Sequence, residues 1–227
     1  HSEVSLSVGI QRMVRSDLGS SGVMFTLDTE SGYDDVVFIT SSWGLGETIV
    51  QGAVNPDEFY VHKPTLRAHR PSILRRKIGS KSSKMIYADS SATETTQVIE
   101  TTTAERQHFS LSDTQVEELA QQAIRIEQHY GRPMDIEWGL DGETQELWIL
   151  QARPETVKSR VTQQSLERYH LHDTALALTE GSSVGQKIGS GTVRVVNSIT
   201  ELESVETEAF INKTNDNDIR KVLKKKE

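Results

Sequence analysis

Between residues 112 and 130 the apolar positions Val116, Leu119, Ala120, Ala123, Ile124 and Ile126 recur at the spacing that lines one side of a helix. Ser112 and Gln115 stand before them at capping-box spacing and Gly131 follows as a stop, so the pattern predicts a packing helix over 112–130. His129, near its end, suits the helix dipole. Elsewhere the apolar positions come in short runs. They predict an apolar segment around 4–10, strands over 23–27, 36–40, 59–62 and 84–87, and a turn at Gly19-Ser20-Ser21-Gly22.

Two later stretches alternate strictly. In Asp135-Ile136-Glu137-Trp138 an extended chain puts Asp135 and Glu137 on one face, with Met134, Ile136 and Trp138 on the other. In Leu147-Trp148-Ile149-Leu150-Gln151-Ala152-Arg153-Pro154 the same rule pairs Gln151 with Arg153 and puts Trp148, Leu150 and Ala152 opposite. Asp141-Gly142 is a turn signal between them, so the two form a predicted hairpin. The polar faces coincide only if odd positions pair with odd ones, because a one-residue slip sends Gln151 to the back of the sheet.

The residue types on that face suit Mg²⁺ and a polyphosphate. Mg²⁺ takes one or two oxygen ligands from a protein and the rest from water and phosphate, a role open to Glu137 and the amide oxygen of Gln151. Arg153 offers forked donors to phosphate oxygens, and Asp135 could ligate a second ion or orient its neighbours. An ordinary amphipathic hairpin with a solvated outer face has the same pattern.

Ser41-Ser42-Trp43-Gly44-Leu45-Gly46-Glu47 follows the second predicted strand; its glycines would let the backbone approach a ligand and open a helix at Glu47, although a tight turn reads the same way. Arg67, Arg70, Arg75, Arg76, Lys77, Lys81 and Lys84 make a basic stretch that reads as mostly solvated loop. Only His170 and His172 approach metal-ligand spacing, and they lack further partners, so no zinc site is expected.

Composition narrows the classes. The 227 residues carry a formal charge of −8 and 35% apolar residues, which fits a globular protein and argues against a general nucleic-acid surface. No long apolar run predicts a membrane span. Without cysteine there are no disulfides, thiolate zinc sites or cysteine nucleophile, and the cytoplasm is the expected compartment. The first residues, His1-Ser2-Glu3, show no signal-peptide pattern and read as the start of a piece of a longer chain. After Pro154 a polar stretch over 158–165 precedes Gly181, Gly185, Gly189 and Gly191 and a strand over 192–196, which reads as a linker and the opening of another domain. A strand rather than a helix follows these glycines, so they are not a dinucleotide fingerprint. The basic run over 220–226 reads as a frayed helix end.

Longer stretches are recognisable. Gln11-Arg12-Met13-Val14-Arg15-Ser16-Asp17, Ser21-Gly22-Val23-Met24-Phe25, the run over 40–47, Gln51-Gly52-Ala53-Val54-Asn55-Pro56-Asp57-Glu58-Phe59-Tyr60-Val61, Tyr130-Gly131-Arg132-Pro133-Met134-Asp135-Ile136-Glu137-Trp138 and Gln151-Ala152-Arg153-Pro154-Glu155-Thr156 closely resemble the phosphoenolpyruvate synthase (pyruvate, water dikinase) family. The resemblance covers residues 4 to about 160, with a continuation over 180–196. It implies an α+β chain: residues 1–157 as the C-terminal half of an ATP-grasp domain with a mixed or antiparallel sheet, 158–180 as linker, and 181–227 as a truncated β/α swivelling phosphohistidine domain.

It further implies Glu137 and Gln151 as Mg²⁺ ligands, Arg153 as phosphate clamp and catalytic residue with Asp135 as its acidic neighbour, and Glu47 as a nucleotide contact. ATP is the implied substrate, and pyruvate enters only through domains outside this chain. None of the seven histidines stands in the family's Gly-Gly-x-Thr-x-His motif, and 214–219 is a degraded form of its Thr-Asp-Pro-Asp-Trp stretch. A fragment inactive alone is expected. A related pyruvate, phosphate dikinase or antibiotic phosphotransferase would share the metal strands, and a non-catalytic remnant would keep the fold.

Overall fold

The computed structural model describes residues 8–88 and 94–156 and the backbone of two further strands. The elements in chain order are β1 Ser20–Phe25, β2 Val36–Trp43, α1 Glu47–Val50, β3 Asp57–His62, α2 Lys63–Arg67, β4 Ile73–Lys77, β5 Ser83–Tyr87, β6 Thr96–Glu100, α3 Thr103–Gln107, α4 Asp113–Tyr130, β7 Met134–Leu140, β8 Leu147–Pro154, β9 Val193–Val196 and β10 Ala209–Asn212. One six-stranded sheet runs β4-β3-β2-β1-β7-β8, and every neighbouring pair in it is antiparallel. The β5–β6 hairpin stands apart from it, and β9 pairs β10 in parallel.

Strand alternation divides the large sheet into two faces. Met24, Val37, Ile39, Phe59, Val61, Met134, Ile136, Trp138 and Leu140 point to one of them and are buried with Val116, Leu119, Ala120, Ala123 and Ile124 of α4. The predicted helix is α4, with both capping-box bonds between Ser112 and Gln115 and a left-handed Gly131 at its end. Each fully buried Leu, Val or Ile contributes about 1.5–3 kcal/mol, so this stripe fixes the helix to the sheet. Buried Lys63 reinforces it by reaching the Thr26 carbonyl (2.6 Å) and the Glu127 carboxylate (2.7 Å).

Three expectations need correction. Residues 19–22 are not a turn: β1 begins at Ser20. Gly22 is there because a Cβ would lie 1.9 Å from the Thr40 carbonyl and 2.8 Å from the Trp138 ring, a close approach that only glycine allows. The basic stretch is not a single loop, because β4 and β5 occupy much of it, although Arg67, Arg70, Arg75 and Arg76 are exposed as expected. Its cations are largely paired: Lys81 with Asp57 in a fully buried ion pair, Lys84 with Glu105 and Arg76 with Asp113. Lastly, β2 continues through the buried Ser41 and Ser42 to Trp43 rather than stopping at residue 40.

The strand expected at 192–196 is present as β9. Most of the expected linker and second domain, with His170 and His172, lies outside the described residues. No helix among the described residues is long and apolar enough to cross a membrane.

Candidate nucleotide site

On the face of the sheet away from α4, the expected site residues lie on β7 and β8, beside β1. The register pairs Asp135 with Arg153 and Glu137 with Gln151, odd with odd, so the two polar faces coincide. A shift after Glu137 then sets Trp138 across from Ile149 and Gly139 across from Trp148. Leu150 is the extra residue of this bulge. Trp148, expected opposite Gln151, therefore shares its face. Leu147 turns toward the core, and Ala152 does so as expected.

Arg153 donates from Nε to one Asp135 oxygen at 2.7 Å, and its terminal nitrogen Nη2 lies 2.7 Å from the same oxygen in an ion pair. The carboxylate raises the guanidinium pKa above its ordinary value, by the hydrogen bond first and its charge second. Glu137 stands one row along, between Gln151 on β8 and Val23 on β1. Glu137 is half-buried and Gln151 exposed, so a carboxylate and an amide oxygen meet at an accessible part of the sheet.

The loop that precedes Glu47 meets the same face by another route. Gly44 sits at φ +85 and donates its N–H to the Gly19 carbonyl, and its own carbonyl accepts the Ser21 hydroxyl at 2.6 Å. Ser21 shares a face with Val23, so the glycine loop rests one row away from Glu137. Gly46 caps α1, whose single turn begins at Glu47. Glu47 accepts from the Gln51 amide at 2.8 Å, and no hydrogen bond or ion pair joins it to Asp135, Glu137, Gln151 or Arg153. The structure thus brings four of the five expected site residues together and does not join Glu47 to them.

The alternation pattern missed what lies next to these residues. Arg153, Asp135, Phe25, Phe38, Tyr60 and Arg75 pair in one continuous row across five strand boundaries. Phe38 and Tyr60 rings stand 4.8 Å apart, and the Arg75 guanidinium lies 6.0 Å from the Tyr60 centroid. The signal was present as aromatics at alternate positions of three separate runs, but only strand order aligns them. Among the described residues no three His, Cys, Asp or Glu side chains cluster to hold a metal.

Residues 1–173 match the family model described as pyruvate phosphate dikinase, AMP/ATP-binding domain. The chain belongs to this family. Its curated relatives include proteins named phosphoenolpyruvate synthase from Pseudomonas aeruginosa (strain UCBPP-PA14), 56% identical over 99% of this chain and 29% of the relative. The relatives of that name from Escherichia coli (strain K12) and Neisseria meningitidis serogroup B (strain MC58) are 55% and 53% identical over 99% of this chain, covering 28% and 29% of their lengths. The chain therefore spans under a third of these relatives.

Proposed function

We propose that this chain is the C-terminal half of an ATP-grasp domain, supplying one wall of the ATP site of a phosphoenolpyruvate synthase-type dikinase. The cross-strand pairing of Glu137 with Gln151, one row from the Asp135–Arg153 pair, carries the reading. Residues 158–180 then serve as linker, and 181–227 open a swivelling phosphohistidine domain. The whole enzyme would pass a phosphoryl group from ATP through a histidine to pyruvate.

Glu137 and Gln151 fit Mg²⁺ because they offer two hard oxygen donors and leave the remaining positions to water and phosphate. When bound, the ion supplies charge neutralisation to the phosphate oxygens. The protein's own part is positional. Arg153, held by Asp135, presents guanidinium N–H donors to a phosphate oxygen, and Glu47 at the start of α1 contacts the nucleotide from the neighbouring row. Loss of any one part of such a constellation costs orders of magnitude in rate, so the isolated chain should form no AMP from ATP and pyruvate.

Mn²⁺ with ATP provides the test, read as paramagnetic broadening of amide resonances. Signals of β7 and β8 around Glu137 and Gln151 should broaden first, and Glu137→Ala should abolish the effect. Broadening that is uniform over the chain, or unchanged in Glu137→Ala, would reject the site.

A further inference from the structure

The glycine loop that carries Glu47 is held from outside the large sheet. Leu45 donates its N–H to the Met85 carbonyl of β5 at 2.9 Å. A Cβ on Gly44 would come within 2.5 Å of that same carbonyl, so loop and hairpin touch backbone to backbone. One residue earlier, the Trp43 indole N–H donates to the Glu105 carbonyl at 2.9 Å. Glu105 closes the circuit, its carboxylate taking Lys84 Nζ on one oxygen at 2.5 Å and the Thr102 N–H and hydroxyl on the other. Lys84 immediately precedes Met85 on β5.

A cavity of about 510 Å³ opens beside these contacts, lined among others by Arg15, Trp43, Lys84, Tyr87, Ile99 and Glu105, so side-chain packing there is incomplete. Where side chains do not interdigitate, position is left to the directional ties. The Lys84 and Glu105 side chains are only 20% and 21% exposed, so their pair is screened less than one on the open surface.

We infer that Lys84 and Glu105 are positioning residues for the glycine loop, fixing Trp43 and Leu45 and through them the placement of Glu47. The consequence for ligand binding rests on the reading of Glu47 as a nucleotide contact. The placement itself does not.

Amide hydrogen exchange on this chain separates the two. In Lys84→Met the Leu45 amide should exchange about tenfold faster, the factor expected for loss of one charge-assisted hydrogen bond, while α4 amides keep their rates. Lys84→Arg, which keeps the cation, should restore protection. Unchanged exchange at Leu45 in Lys84→Met overturns the inference, and so does an equal acceleration across α4, which marks general destabilisation. Broadening by Mn²⁺ with ATP is read in parallel and should weaken at Gly46 and Glu47 in Lys84→Met. If Leu45 responds to Lys84 but the unsubstituted chain shows no broadening, the positioning role stands and the ATP-site reading falls.

Discussion

Arg153 grips a single oxygen of Asp135 with two nitrogens, both at 2.7 Å, so the pair uses one edge of the guanidinium and one lobe of the carboxylate. On the proposed reading, the other edge is the one that would meet a phosphate oxygen. Asp135 thus acts as the part that aims Arg153. Asp135→Asn should weaken binding of Mn²⁺ with ATP about fivefold while moving the urea midpoint by under about 1 kcal/mol equivalent, because the Arg153 side chain is 61% exposed. Paired titrations of ligand and urea check both halves.

Gly22 is the most constrained point of the site-bearing sheet. Its missing Cβ would overlap the Thr40 carbonyl and the Trp138 ring, both inside a sheet that cannot shift one strand without its neighbours. Gly22→Ala should cost at least about 3 kcal/mol, read as a lower urea midpoint with α4 losing exchange protection together with β1.

The two buried lysines should respond differently to the same change. Lys81 and Asp57 are both fully buried, and removing the cation leaves a carboxylate with only the Gly79 N–H and the Ser110 N–H and hydroxyl. Lys81→Met should therefore cost about 3–5 kcal/mol. The Glu127 partner of Lys63 is 17% exposed and can turn to water, so Lys63→Met should cost less, about 1–2 kcal/mol. Equal losses in urea unfolding would contradict this account of burial.

Acid should loosen the ties around the site before it reaches the core. The Thr144 N–H, then the Arg15 N–H, hold Asp141 below its ordinary pKa of 3.8. Burial pushes Glu105 up, but Lys84 and Thr102 more than offset it and leave it below 4.5. For depressed carboxylates the unfolded chain takes up protons first, so their stabilisation is complete above the ordinary values and is lost as pH falls through the lower folded ones. The urea midpoint should be flat from pH 7 to about 5 and then fall, and Asp141→Ala should shrink that fall.

At the alkaline end Tyr60 reports on the aromatic row. Burial, then the charges of Asp28 and Glu58, push its hydroxyl up to about 12, against a smaller opposing effect of Arg75. A raised pKa means that the fold holds the proton longer than the unfolded chain, so this contribution is present below pH 10 and lost as pH rises through about 12. Absorbance titration of Arg75→Ala should show Tyr60 ionising later still.

Local pattern carried a good part of this chain. The α4 stripe and its caps depend on neighbours three or four residues apart, which the sequence states directly, and the alternation around Asp135, Glu137, Gln151 and Arg153 is equally local. The turn wrongly read at residues 19–22 shows the limit: glycine marks both turns and close approaches, and only the Thr40 carbonyl and Trp138 ring across the strands show which one Gly22 serves. The polar residues of β6 and the basic residues of β4 hid strands for a related reason, since an edge or detached strand has little core to face.

By itself the sequence determined the helix, the two alternating strands with their odd-numbered polar residues, and the family to which those residues point. Tertiary structure alone decided that odd pairs with odd, that a bulge at Leu150 turns Trp148 to the polar side, that Phe25, Phe38 and Tyr60 line up beside Arg153, and that Lys84 and Glu105 hold the glycine loop. These are contacts between residues far apart in the chain. They follow from strand order and register, which the whole core selects together and no single segment encodes.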